Sequence, residues 1–325
     1  MKKNALITGI AGQDGSYLAE LLLSKGYNVL GLIPRRSTPQ TQTLRIDHIG
    51  TMINLEYGDV LDLASIYRVM KSFKPNEVYH LAAQSHVQIS FTEPINTTQV
   101  DAIGTLNMLE ATSEFVPGAR FYNAASSEIF GNTPDYPIDE NSVMVPCSPY
   151  AVSKLYAYHI TKVYRVSKKL FAVNGILFNH ESPRRGLNFV TAKTVKAALD
   201  IKHGKRKSLE LGTLDSRRDW GHAADFVQSM WMMMQYKIPD DYVVATGKDH
   251  SVRELCEYVF KKVGLGDYKK YVKQNKKYVR PYELNKLKGN PAKITKLLGW
   301  KPKITFEKML DEMIVELEKQ YYPIT

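Results

Sequence analysis

Two clusters of residues could do chemistry in this chain. The first is Tyr150-Ala151-Val152-Ser153-Lys154, where a phenol and an ammonium four residues apart share one helix face. A nearby cation favours phenolate, so this pair predicts Tyr150 as a general base of lowered pKa with Lys154 as the cation. The spacing alone is common here: Tyr67, Tyr158, Tyr164, Tyr258 and Tyr282 also have lysine four residues on. Context selects Tyr150. It follows Ser148-Pro149, a helix-start signal, and lies downstream of a strand ending in hydroxyls. That strand end is the second cluster, Ala124-Ala125-Ser126-Ser127-Glu128. Ser126 can polarise a substrate oxygen, and Glu128 at the strand tip can act as a second acid/base. One base suffices to oxidise an alcohol. A second predicts removal of another proton, as in an elimination beside a ketone. The plainer reading of Glu128 is a surface acid or a helix-cap partner.

Such residues need a frame, and the N-terminus supplies its first unit. Asn4–Thr8 reads as an apolar strand, Gly9-Ile10-Ala11-Gly12-Gln13-Asp14-Gly15 as a glycine-rich turn, and Leu18, Leu21 and Leu22 as one stripe of a helix. Strand, glycine turn and helix in this order make a dinucleotide site. Gly9 permits the turn, Gly12 lets backbone approach a pyrophosphate, and Gly15 lets helix and strand pack closely. The next strand, Asn28–Ile33, is followed by Pro34-Arg35-Arg36, with no acid before Asp47. An NAD site places a carboxylate there for the ribose hydroxyls. Two guanidiniums match a 2′-phosphate instead, which predicts NADP.

Strand and helix signals alternate through residue 180. Further strands are expected near 53–57, 77–81, 120–124 and 171–177, with helices near 64–73 and 149–168. A long helix is expected after Pro94, with Val100, Ile103, Leu106 and Leu109 on its apolar stripe. The fold class is therefore α/β: a Rossmann-type doubly wound parallel sheet with a smaller C-terminal α/β substrate-binding domain. Residues 1–180 make the NADP-binding Rossmann domain. Residues 181–325 are mainly the substrate domain, some of their segments returning to the first. In such sheets ligands bind beyond the carboxyl ends of the strands, where both chemical clusters fall.

The chain has 325 residues and a net charge of +11, much of it lysine in the C-terminal third. No aromatic-basic RNA signature and no metal-ligand spacing accompanies that charge, so a phosphate-rich small substrate fits better than a nucleic acid. No apolar run is long enough to span a membrane. Met1-Lys2-Lys3 enters the first strand without a secretory apolar segment, and Cys147 and Cys256 make no disulfide framework. A cytoplasmic location is expected.

Longer strings are more specific. Thr8–Gly15, Ala82-Ala83-Gln84-Ser85-His86-Val87, Ser148–Lys154, Leu177–Gly186 (LFNHESPRRG), Arg218–Ala223, Arg280-Pro281 and Leu298–Pro302 together resemble the GDP-mannose 4,6-dehydratase family of extended short-chain dehydrogenases/reductases. The resemblance runs from end to end. It implies a redox-neutral lyase that oxidises C4 of a GDP-sugar, eliminates water across C5 and C6, and returns the hydride to C6. It implies Tyr150 and Lys154 as the hydride-transfer pair, Ser126 polarising the 4-oxygen, and Glu128 as the C5 base. The cofactor would border Gly9, Gly12, Gln13, Asp14, Gly15, Arg35, Arg36, Asp59, Val60, Leu81, Ala82, Ala83, Ser85, Tyr150, Lys154, His180 and Arg185. The GDP-sugar would meet Ser85, His86, Ser126, Asn179, Lys193, Arg218, Arg280 and Glu283, with Cys147 near the sugar. A homotetramer is implied through the Arg35–Arg45 segment, with a dimer as the alternative. A dehydratase for another GDP-sugar, such as GDP-manno-heptose, would keep the same catalytic residues. So would a bifunctional dehydratase/reductase. A non-catalytic NADP-binding sensor would be expected to lose one of them.

Overall fold

The computed structural model describes residues 2–35, 43–279 and 281–323. Its strands are β1 (Asn4–Thr8), β2 (Asn28–Ile33), β3 (Asn54–Tyr57), β4 (Glu77–His80), β5 (Arg120–Ser126), β6 (Phe171–Leu177), β7 (Asn179–Glu181), β8 (Leu209–Leu211), β9 (Arg217–Arg218), β10 (Trp220–His222), β11 (Asp241–Val244), β12 (His250–Ser251), β13 (Val272–Gln274) and β14 (Lys286–Leu287). The helices are α1 (Gln13–Ser24), α2 (Leu63–Phe73), α3 (Val87–Ser90), α4 (Pro94–Thr98), α5 (Gly104–Phe115), α6 (Pro149–Ser167), α7 (Val190–Lys202), α8 (Ala223–Gln235), α9 (Val252–Lys262), α10 (Ala292–Leu298) and α11 (Phe306–Tyr321).

Seven strands form one parallel sheet in the order β11-β6-β5-β4-β1-β2-β3. The order reverses between β1 and β4, as in doubly wound folds. Helices cover both faces, so the inner strands are buried on both sides, whereas the edge strand β3 is exposed throughout. Ala5 and Ile7 of β1 join the core beneath α1 and α8, whereas Leu6 between them joins the core beneath α2 and α5. A separate core gathers α7, α9, α11 and β8 around Trp220, which stacks on Phe306 at 5.7 Å. The chain beyond residue 181 alternates between these bodies. It builds the second core, returns to place α8 against α1, and adds β11 as an edge strand of the main sheet. Among the described residues no helix is long and apolar enough to cross a membrane.

One element differs from the sequence expectation. The helix after Pro94 is interrupted: α4 passes through a π-helical stretch, Gln99–Ile103, before α5. The wider turn rotates the helix face, so Asp101 and Ala102 are buried while Ile103 is exposed. The apolar stripe expected through Ile103 is broken there, and an acid takes the inside position.

Candidate active site

The carboxyl ends of the sheet strands open into one cleft of about 1360 Å³, which also reaches α7, β8, β9, Lys277, Tyr278 and Glu283. That exceeds the roughly 300–1,000 Å³ of a pocket for one small ligand, so two ligands side by side have room.

At one end the glycine turn is built as its sequence requires. Gly9 has a positive φ of 72°, and Gly12 N–H donates to its carbonyl at 2.9 Å. A Cβ on Gly15 would sit 2.3 Å from the Gly9 carbonyl oxygen and 2.5 Å from Ile10 Cα, both backbone. No side chain caps the N-terminus of α1, so its first N–H groups face the cleft available to an anion. The turn is tied down from behind. Thr8 Oγ1 accepts from Leu81 N and Ala82 N, both at 3.1 Å, and Gln13 bonds the His180 carbonyl and the Ser182 hydroxyl. Asp14 pairs with His180 at 2.7 Å. Burial opposes both charges, but the pairing prevails: it holds the Asp14 carboxyl below its usual range and the His180 imidazole above its own. These groups with the glycine cradle fit a dinucleotide pyrophosphate.

Beyond β2 the cleft is basic. Arg35 lines it, and so does Arg45, which the sequence reading did not single out. Arg45 donates to the Arg184 carbonyl at 2.8 Å and to the Ala11 carbonyl at 3.4 Å. Its charge is disfavoured by burial and then by Arg184 and Arg185, so an anion there would relieve it. Arg36 lies outside the described residues.

The chemical clusters meet mid-cleft. Ser148 caps α6 through Ala151 N at 3.1 Å, and Pro149 occupies the first turn, which places Tyr150 at the helix mouth. Ser126 ends β5 and its hydroxyl accepts from Glu128 N at 3.2 Å, turning the chain so that Glu128 joins Ser126 and Tyr150 along the cleft. Lys154 is buried and donates to the Ala124 carbonyl at 3.1 Å. The expected lowering of the Tyr150 pKa by Lys154 does not hold. Burial pushes the phenol up, Asp101 and then Glu128 push the same way, and a hydrogen bond with Ser126 and the charge of Arg185 oppose them without prevailing. The physical reason is burial first, then Asp101, whose carboxylate lies on the buried face of the π-helical stretch and acts on both Tyr150 and Lys154.

At the far end lie Lys193, Arg218 and Glu283. Lys193 donates to the Glu210 carbonyl at 3.0 Å and sits 4.1 Å from the Tyr278 ring centroid. Arg280 lies outside the described residues. Among the described residues, three cleft-lining side chains carry a buried polar atom with neither a hydrogen bond nor an ion pair: Asn179 Oδ1, Gln88 Oε1 and Ser216 Oγ. Buried polar atoms are nearly always paired, so these mark positions for ligand groups. Gln88 and Ser216 escaped the sequence reading, although each is within two residues of a position it singled out (His86 and Arg218). Ser85 and His86 line the cleft, and His86 packs on Phe189 at 5.3 Å between centroids. Val60, Asp59, Leu81, Ala82, Ala83, Asn179, His180 and Arg185 line it as well. Cys147 does not. It is buried behind the cleft, its thiol 3.3 Å from the Val145 carbonyl.

Comparison with known proteins gives a consistent result. The family model for GDP-mannose 4,6 dehydratase matches residues 6–313. GDP-mannose 4,6 dehydratase 1 of Arabidopsis thaliana is 49% identical, covering 97% of this chain and 90% of its own. GDP-mannose 4,6 dehydratase 2 of Caenorhabditis elegans is 46% identical, covering 96% and 88%. Among solved structures, a Thermus thermophilus UDP-glucose 4-epimerase complex with NAD superposes with a TM-score of 0.84 at 26% identity, covering 97% of this chain and 99% of that one. RMD from Pseudomonas aeruginosa complexed with NADPH gives 0.82 at 25%, covering 98% and 100%.

Proposed function

The chain belongs to the GDP-mannose 4,6 dehydratase family, and on that premise we propose how its cleft carries out the reaction. GDP-D-mannose is converted to GDP-4-keto-6-deoxy-D-mannose. The observation that carries this reading is the convergence of Tyr150, Ser126 and Glu128 in one cleft large enough for a dinucleotide and a GDP-sugar.

A bound nicotinamide cofactor supplies the acceptor for hydride from C4 and its return to C6. The protein does the rest. Ser126 holds the 4-oxygen, and Tyr150 takes the 4-hydroxyl proton as the carbonyl forms. That carbonyl acidifies the C5 proton. Glu128 removes it and hands a proton to the departing 6-hydroxyl, which leaves as water. C5 regains a proton when C6 is reduced, so substrate loses one water and no net electrons. Lys193, Arg218 and Glu283 hold the nucleotide end, where cations suit a pyrophosphate and a carboxylate suits guanine N–H or ribose hydroxyl groups. The cofactor is NADP, a choice supported by Arg35 and Arg45 beyond β2 and by the missing acid after that strand. The enzyme is then an NADP-dependent hydro-lyase.

A homo-oligomer, dimer or tetramer, belongs to the same proposal. Val152, Tyr156, Val163 and Val166 make an exposed apolar stripe along α6, which supports association through that helix. Two free buried thiols, Cys147 and Cys256, suit a reducing cytoplasm.

The test is isotopic. Purified protein with a trace of NADP⁺ is given GDP-mannose deuterated at C4, and in parallel GDP-manno-heptose. Many turnovers, no net change in the reduced-nicotinamide band, and deuterium at C6 of a 4-keto-6-deoxymannose product are expected. Reduced cofactor released in proportion to product would make the protein a plain dehydrogenase. Turnover of the heptose alone would move the substrate.

A further inference from the structure

Asp101 has no part in the chemistry above, yet its placement is costly. Its side chain is completely buried on the π-helical stretch that packs against α6. One carboxylate oxygen accepts from Gln84 N at 2.7 Å; the other is buried without a hydrogen bond. Nearby stands Lys154, for which Asp101 is the charge that opposes the effect of burial.

The backbone of Asp101 is fixed by a chain of hydrogen bonds whose direction follows from valence. Thr8 Oγ1 already accepts from two backbone N–H groups, so its own proton goes to His80 Nδ1 at 2.9 Å. His80 Nε2 then carries the ring proton and donates to Thr105 Oγ1 at 3.2 Å. Thr105 in turn donates to the Asp101 carbonyl at 2.7 Å. His80 stays neutral, its pKa driven to about 3 by burial and by Lys154. The glycine-turn strand, β4, the start of α5 and the π-helical stretch are thereby tied together.

Resting on the reading that Tyr150 and Lys154 are the hydride-transfer pair, we propose that Asp101 is a positioning residue for them: its buried carboxylate is the counter-charge that keeps Lys154 an ammonium and opposes phenolate at Tyr150 until the site is loaded. If its only task were to accept from Gln84 N, an amide would serve as well as an acid. The groups facing the pair are few. Tyr150 meets Ser126, Asp101, Glu128 and Arg185; Lys154 meets the Ala124 carbonyl, Asp101 and the neutral His80. Burial puts the Asp101 pKa at about 6, with Lys154 and Gln84 N acting against it, so the carboxylate is largely ionised at neutral pH.

Asp101→Asn separates the two roles, because it keeps an acceptor for Gln84 N and removes only the charge. Both limbs of the kcat–pH profile should move to lower pH by roughly one to two units, the scale of one charge about 6–12 Å away at an effective dielectric of about 20, with KM for GDP-mannose unchanged. The Tyr150 ring carbon, followed by NMR in tyrosine-labelled holoenzyme and assigned with Tyr150→Phe, should titrate lower by the same amount. That titration requires no turnover, so it is independent of the substrate assignment. A variant with an unmoved Tyr150 titration, whatever its kcat, reduces Asp101 to a structural acceptor and overturns the proposal. Should Asp101→Asn not fold, wild type and Lys154→Met decide. The labelled Asp101 carboxyl should titrate near 6 in wild type and higher in Lys154→Met. An identical titration in both overturns the counter-charge role.

Discussion

Two bases in one cleft should fail at different steps, and the structure sets how far apart. Glu128→Gln is isosteric and leaves the backbone N–H of residue 128 bonded to Ser126, so the turn beyond β5 should survive. What goes is a general acid/base, normally worth about 10²–10⁴ in rate, or about 3–5 kcal/mol at 1.36 kcal/mol per decade. Glu128 is only 9% exposed, so bulk water has little access to replace it, and the loss should fall in the upper half of that range. Tyr150 and Ser126 remain. Oxidation at C4 should therefore proceed and stall, with up to one equivalent of reduced nicotinamide per site and no 4-keto-6-deoxy product. A second effect follows from the same placement of Glu128 beside Tyr150. Glu128 is one of the charges that push the Tyr150 phenol up, so removing it should let the stalled oxidation run at lower pH than in wild type. Tyr150→Phe removes the proton acceptor itself and should show no reduced cofactor at any pH. Stopped-flow absorbance on holoenzyme mixed with excess GDP-mannose reads all three. If both variants stop before reduced nicotinamide forms, or if Glu128→Gln turns over at a near wild-type rate, the division of labour is wrong.

Three further outcomes are expected. Arg35→Asp should weaken NADP⁺ binding by about 1–3 kcal/mol, the scale of one lost charge-assisted hydrogen bond, and NAD⁺ binding far less; calorimetric titration showing equal losses for both cofactors would remove Arg35 from the 2′-phosphate. Gly15→Ala should cost about 1–3 kcal/mol of stability and most cofactor affinity, because its Cβ would lie 2.3 Å from a backbone oxygen that cannot retreat; a melting curve like wild type would contradict that contact. The Asp14–His180 pair gives a pH signature. His180, raised above its usual 6.5, contributes stability that is complete below 6.5 and lost as pH rises through its folded value, while Asp14, lowered from 3.8, contributes above 3.8 and loses it in stronger acid. The wild type's advantage in melting temperature over His180→Asn should be greatest between about 4 and 6.5 and shrink toward alkaline pH, and a pH-independent gap would deny the ion pair.

Much of the fold was legible because its signals are local. Short apolar runs between turn residues mark β1, β2 and β6 at the bounds expected for them, and three glycines between a strand and a helix mark the nucleotide turn. The site's positions were legible for the same reason: in a parallel sheet, chemistry collects where strands end, and Ser126, Glu128 and Tyr150 follow that rule. The electrostatics were not. A Tyr–Lys pair on one helix turn predicts a phenol of lowered pKa, and the sign comes out reversed because burial and the Asp101 carboxylate act on both partners. Asp101 was hidden by its neighbours. Val100, Ile103, Leu106 and Leu109 keep helical spacing, and periodicity cannot register an extra residue within one turn, yet that residue decides whether an isoleucine or an acid points inward. Arg45, Gln88 and Ser216 were missed for a related reason, since ordinary polar residues gain meaning only when tertiary structure buries them beside the cleft. A motif can therefore say which residues share a cleft, but the charge state in which they share it is a sum over the whole buried site.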